Sequence, residues 1–129
     1  MKEILRAFPR VMGIVNINDD SFSGDGTLDV AKALAKARRM ILDGADVVDV
    51  GAESARTNRG PIGVREEIAR LLPFLDGFEA LCAEAAPRDD WQIWPPLLSV
   101  NTWRPEVVAT VLATGKVDIL NDIGGLFED

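Results

Sequence analysis

Gly44-Ala-Asp-Val-Val-Asp-Val-Gly-Ala-Glu-Ser54 decides the fold. A glycine that can end a helix is followed by a two-residue turn. Then comes a short apolar run, broken only by Asp49, and a polar exit. Three other apolar runs read the same way: Val11–Ile17, Leu97–Val100 and Val117–Leu120, beside Asp46–Gly51 here. They are rich in Val, Ile and Leu with little alternation, the pattern of strands buried on both faces of a parallel sheet. Gly115-Lys-Val-Asp-Ile-Leu-Asn121 repeats the glycine–turn–strand order of Gly44–Val50. Repeated β-then-α units imply parallel strands with right-handed crossovers.

Helical spacing fills the gaps. After Thr27, read as an N-cap, Val30, Leu34, Ala37 and Ile41 share one face, and Gly44 supplies the stop. Ile68, Leu71, Leu72, Leu75 and Phe78 mark a second helix, in which Pro73 predicts a kink or a late start. Arg65-Glu-Glu67 is assigned to its solvated first turn. A third helix opens near Pro105, buries Val108, Val111 and Leu112, and stops at Gly115. Ala83–Pro96 reads as an exposed loop whose Trp91 and Trp94 cover apolar surface. The count is four strands and three helices, an α/β chain. A (β/α)8 barrel needs about 250 residues, so this chain would be about half of one. An open flavodoxin-like sheet fits the length equally, and spacing does not choose between them.

Composition narrows the function classes. The 129 residues are 47% hydrophobic and 27% charged, with a formal net charge of -7. That balance suits a soluble globular domain and disfavours nucleic acid or an anionic membrane as partner. An anionic substrate would need a local metal ion, arginine or helix N-terminus to hold it. The lone Cys82 excludes an internal disulfide and suggests a reducing, cytoplasmic setting. No histidine is present, which removes the commonest general base.

Each apolar run leads into polar groups: Asn16, then Asp49 and Glu53-Ser54, then Asn101, then Asn121-Asp122. Parallel strands present their carboxyl ends at one rim, where such folds bind ligands. The acidic loop Asn18–Gly26, around Phe22, is long enough to close over a ligand. It lacks the Gly-Lys-Ser/Thr of a Walker phosphate loop. Ser54-Ala-Arg-Thr-Asn-Arg-Gly60, with two arginines, suits an anion.

Four motifs carry a family resemblance, in order and over nearly the whole chain. Met12-Gly-Ile-Val-Asn-Ile-Asn-Asp-Asp-Ser-Phe-Ser23 and Asp46-Val-Val-Asp-Val-Gly-Ala-Glu-Ser-Ala-Arg56 resemble the first two signatures of dihydropteroate synthases, within the pterin-binding enzymes. Ser99-Val-Asn-Thr-Trp-Arg-Pro-Glu-Val107 and Ile119-Leu-Asn-Asp-Ile-Gly-Gly125 resemble the third and fourth strands of that family. The resemblance implies the N-terminal half of a (β/α)8 TIM barrel, residues 1–129 forming a partial pterin-binding domain. It implies a transferase of folate biosynthesis that condenses 6-hydroxymethyl-7,8-dihydropterin diphosphate with 4-aminobenzoate.

The same resemblance assigns Asp20, Phe22 and Arg56 as catalytic. It assigns Asn16, Ser54, Arg56, Asn101 and Asn121 to substrate, and Asn16 to a magnesium-bound diphosphate. The family usually has Thr at the place of Ala55 and Asp at that of Asn101. Alternatives are a non-catalytic pterin-fold binding protein and a pterin-dependent methyltransferase domain. On this reading the parent protein is an enzyme and these residues alone are inactive. A half-barrel with open edges and exposed apolar surface also invites self-association as a homo-oligomer.

Overall fold

A computed structural model describes residues 10–18, 27–52 and 63–121. Strand β1 (Met12–Asn16) leads to helix α1 (Val30–Leu42), and β2 (Val47–Gly51) to α2 (Val64–Ala83). Strand β3 (Leu97–Asn101), helix α3 (Pro105–Ala113) and β4 (Ile119–Asn121) follow. The sheet order is β1-β2-β3-β4, and every pair is parallel. A doubly wound sheet reverses direction at a switch point and so separates consecutive strands. Here each strand lies beside its successor, the order of consecutive strands in a (β/α)8 barrel. The fold is therefore α/β with half-barrel topology.

Alternation along the strands gives the sheet two different faces. Val15, Val48, Val50, Leu98 and Val100 are buried in one core with side chains of all three helices. Each fully buried Val, Leu or Phe contributes about 1.5–3 kcal/mol from burial alone. The helices touch in sequence, α1 on α2 and α2 on α3, across that outer face. Gly13 belongs to it too: a Cβ there would stand 2.5 Å from Met40 Sδ, so α1 approaches β1 closely because the side chain is absent. Among the described residues no helix packs on the inner face. Met12 is 52% and Ile14 60% exposed on it, apolar groups that a closed barrel would cover.

The strand starts are fastened by aspartates. Asp46, just before β2, accepts hydrogen bonds from Val11 N at 2.9 Å and Ile93 N at 2.8 Å. Asp118, just before β4, accepts one from Leu98 N at 2.8 Å. Both follow a glycine with positive φ, Gly44 at 108° and Gly115 at 70°, where a helix ends and the chain turns. The internal repeat in the sequence is thus a repeated fastening device. The segment between α2 and β3 is held as well. Buried Gln92 donates to Ile41 O and Ala45 O at 2.9 and 2.7 Å, and accepts from Arg88 N. Trp94 packs against the core as expected, whereas Trp91 is half exposed.

Several local expectations are corrected. The cap of α1 is Asp29, whose Oδ1 accepts from Ala31 N and Lys32 N; Thr27 instead accepts from Asp29 N. A carboxylate also complements the helix dipole there. Helix α2 does not start late: it runs through Pro73, which sits on the exposed side where water can serve the carbonyl released by the missing N–H. Glu67 is not solvated but buried. In α3 the buried residues are Val107 and Val111, while Leu112 is exposed, a rotation of the predicted face by about one residue.

Candidate functional site

The register places one residue from each strand in a single cross-strand row. Asn16 pairs with Gly51, Gly51 with Asn101, and Asn101 with Asn121. At about 4.8 Å per strand, that row spans roughly 14 Å at the carboxyl rim of the sheet. By alternation all four positions face inward. Gly51 contributes no side chain and leaves a slot between Asn16 and Asn101; a Cβ there would reach Asn101 Cβ at 3.5 Å. Two carboxamides therefore border the gap and a third, Asn121, stands beyond Asn101, each able to offer one donor group and one acceptor.

One step below lies a second inward row: Ile14, Asp49, Ser99 and Ile119. Asp49 is 2% exposed. Ser99 Oγ donates to its Oδ1 at 2.6 Å, and Asn121 Nδ2 lies 3.5 Å from both carboxylate oxygens. Burial holds the Asp49 carboxyl above its usual range, against the two hydrogen bonds, which favour the ionised form. With its Nδ2 turned to Asp49, Asn121 keeps Oδ1 as an acceptor. The result is a buried acid beneath a rim of amides, a set of groups that can accept and donate hydrogen bonds at the carboxyl end of the sheet.

Helix α2 braces this rim. Glu67, 1% exposed, accepts from Arg104 Nη1 at 2.7 Å, and the Arg104 guanidinium lies 4.5 Å from the Trp103 ring centroid. Arg104 caps α3 immediately beyond β3, so this pair ties the β3 exit to α2. Arg70 donates to Ala52 O at 2.9 Å and to Ile17 O at 3.5 Å, the residues next after β2 and β1.

Of the residues singled out in the sequence, Asn16, Asn101 and Asn121 come together in the upper row. Asp20, Phe22, Glu53, Ser54 and Arg56 lie outside the described residues. Sequence reasoning named Asp49 without giving it a role, quoted Ser99 and Arg104 only within a motif, took Glu67 for a solvated residue and passed over Arg70. The available signal was two polar residues, Asp49 and Ser99, each inside an apolar strand run and on the same side as the strand's last residue.

Among the described residues no group of three acidic, cysteine or histidine side chains is placed to hold a metal ion. None of their helices is long and apolar enough to cross a membrane. A separate cavity of about 340 Å³ lies away from the rim, lined by Phe78, Cys82, Trp94 and Leu98 among others. Burial pushes the Cys82 thiol up to about 11, so it stands there as an unreactive apolar group.

Comparison with known proteins bears on the same residues. A family model described as pterin binding enzyme matches residues 12–129. A dihydropteroate synthase of Neisseria meningitidis serogroup C is 36% identical over 123 residues, covering 94% of this chain and 39% of the relative. The structure of Xanthomonas albilineans dihydropteroate synthase with 4-aminobenzoic acid superposes with a TM-score of 0.72 at 36% identity, over 93% of this chain and 40% of that one. Burkholderia cenocepacia dihydropteroate synthase complexed with 7,8-dihydropteroate gives 0.64 at 29% identity, over 92% and 36%. The chain spans 39% of the Neisseria relative's length and only 13–22% of the bifunctional relatives it also matches.

Proposed function

This chain belongs to the pterin binding enzyme family, and on that premise we propose that the protein carrying it is a dihydropteroate synthase. The reaction joins 6-hydroxymethyl-7,8-dihydropterin diphosphate to 4-aminobenzoate and releases diphosphate, a step of folate biosynthesis. The observation that carries this reading is the buried Asp49 under the row Asn16, Gly51, Asn101 and Asn121.

The pterin is a flat ring system with several N–H groups. Asp49 and the acceptor oxygens of Asn101 and Asn121 receive those hydrogens, and Ser99 keeps the carboxylate oriented. Asn16, at the far end of the row, is proposed to meet the diphosphate. The C–O bond to diphosphate breaks with its electron pair leaving on oxygen. The amine nitrogen of 4-aminobenzoate forms the new C–N bond and sheds a proton to water or to the departing anion. Electron donation from the ring stabilises the cationic carbon, so positioning and exclusion of water do the chief work. No histidine base is required.

A magnesium ion would neutralise charge developing on the leaving diphosphate. Its fit here rests on one carboxamide oxygen, that of Asn16, which suits an ion taking its other ligands from phosphate and water. Asp20, Phe22, Ser54 and Arg56 are proposed to complete the site, with Arg56 near the anionic groups and Phe22 beside the aminobenzoate. The lone free cysteine fits a reducing, cytoplasmic setting.

Incubating the whole natural chain that carries these residues with both substrates, and assaying dihydropteroate and diphosphate, tests the proposal. Equal amounts of the two products are expected; neither product would sink it. Asn101 favours one second reading, a pterin-fold binding protein without catalysis, because an amide there brings no charge to the ring. That reading expects pterin binding in the same sample with no diphosphate released.

A further inference from the structure

We infer that Arg70 is a positioning residue for the site proposed above, acting through the main-chain carbonyls of Ile17 and Ala52; the kinetic part of this inference rests on that functional reading.

The geometry begins with the last rungs of the ladder. Asn16 and Gly51 end β1 and β2 as register partners, and Ile17 N still donates to Gly51 O at 2.8 Å. Ile17 and Ala52, the residues next after β1 and β2, are both fully buried. A buried carbonyl needs a donor. Arg70 Nη1 supplies it to both, at 2.9 Å for Ala52 and 3.5 Å for Ile17. Nη2 of the same guanidinium pairs with Glu66, one turn earlier on α2, which holds the group in its aim. The side chain is 15% exposed, so these bonds work with little competition from water.

The position of the brace is what ties it to function. Ile17 directly follows Asn16, whose own carbonyl accepts from Thr27 N at 3.1 Å where the chain returns to α1. Ala52 directly follows Gly51, the slot in the rim. One planar, five-donor group therefore sets where the chain departs from both strands beside the proposed diphosphate end. A lysine has a single charged nitrogen and cannot reproduce the fork. A shift of about 1 Å at a positioned group is enough to cost much of its effect.

The test uses Arg70→Met and Arg70→Lys in the whole natural chain carrying this segment. Amide hydrogen exchange at Ile17 and Thr27 is expected to accelerate about tenfold or more in Arg70→Met, and less in Arg70→Lys, with Val48 and Val100 unchanged. KM for the pterin diphosphate is expected to rise about tenfold in Arg70→Met, and less in Arg70→Lys, while a simple loss of folded protein would lower the maximal rate and leave KM alone. Unchanged exchange, exchange rising equally at Val48 and Val100, or an unmoved KM beside accelerated exchange would each overturn the inference. If the unaltered protein makes no dihydropteroate, the functional reading fails, and exchange alone then decides whether Arg70 holds the two strand exits.

Discussion

Ser99 Oγ donates a 2.6 Å hydrogen bond to Asp49 Oδ1 across the β2–β3 pair. The two residues are direct register partners, so the bond is built into the sheet and needs no loop to form it. It fixes a carboxylate in a place where burial opposes its charge.

That opposition predicts a pH dependence. Asp49 has its folded pKa raised by burial above the ordinary value, so the fold favours the protonated form. Its contribution to stability is fully present below the ordinary carboxylate pKa of about 4 and is lost as pH rises through the raised folded value. Asp49→Asn removes this dependence and retains a side chain that Ser99 can bond. Urea midpoints measured from pH 4 to 7 should fall with rising pH more steeply in the original protein than in Asp49→Asn. Parallel curves would count against it.

The Glu67–Arg104 pair is buried on both sides, with side chains 1% and 9% exposed. Removing the guanidinium leaves a carboxylate in a place sealed from water. Arg104→Met should destabilise by about 3–5 kcal/mol, whereas replacing both residues with apolar ones should cost less. Urea titration of both single variants and the double variant measures the coupling. A loss below about 1 kcal/mol for Arg104→Met would show that water reaches Glu67.

Asn101 stands in the rim where the family resemblance leads one to expect an acid. Asn101→Asp adds a charged acceptor for ring N–H groups, and such bonds are about twice as strong as neutral ones. Dihydropterin affinity at pH 7, read by calorimetry on the whole natural chain, should improve by about tenfold, or 1.4 kcal/mol. An unaltered or weaker affinity would remove Asn101 from the ring's contacts.

Gly44 and Gly115 both end helices, but in different surroundings. Gly44 has φ 108° and a Cβ there would meet Arg88 at 3.3 Å, whereas Gly115 has φ 70° and open space. Gly44→Ala should cost about 2 kcal/mol and Gly115→Ala about 1 kcal/mol. Thermal melts of the two variants should separate accordingly, and the reverse order would contradict the geometry.

The strands were legible because buried parallel strands announce themselves as Val–Ile–Leu runs. Asn16, Asn101 and Asn121 were legible as residues at strand ends, but their alignment in one row depends on register, which no single strand encodes. Barrel against open sheet was not legible in the spacing, since strand order is a property of pairing and not of any segment; only the family resemblance pointed to the half-barrel that the strand order shows. Glu67 was misjudged for a physical reason: its partner Arg104 lies 37 residues away, so an acid in a first helical turn looked solvated. Arg70 was invisible because it serves main-chain carbonyls, which carry no sequence signal. Asp29 displaced Thr27 as cap because both are good capping residues two positions apart and only the backbone chooses.

The aspartates at the strand starts have a wider consequence. Asp46 binds the amide of Val11 and Asp118 that of Leu98, so two of the units, those of β2 and β4, bring a latch for the strand before them. Gene duplication of such a segment would deliver a copy already able to dock beside its parent. Growth of a sheet by tandem copying then requires no new invention at that edge, and the opposite edge is left open to diversify.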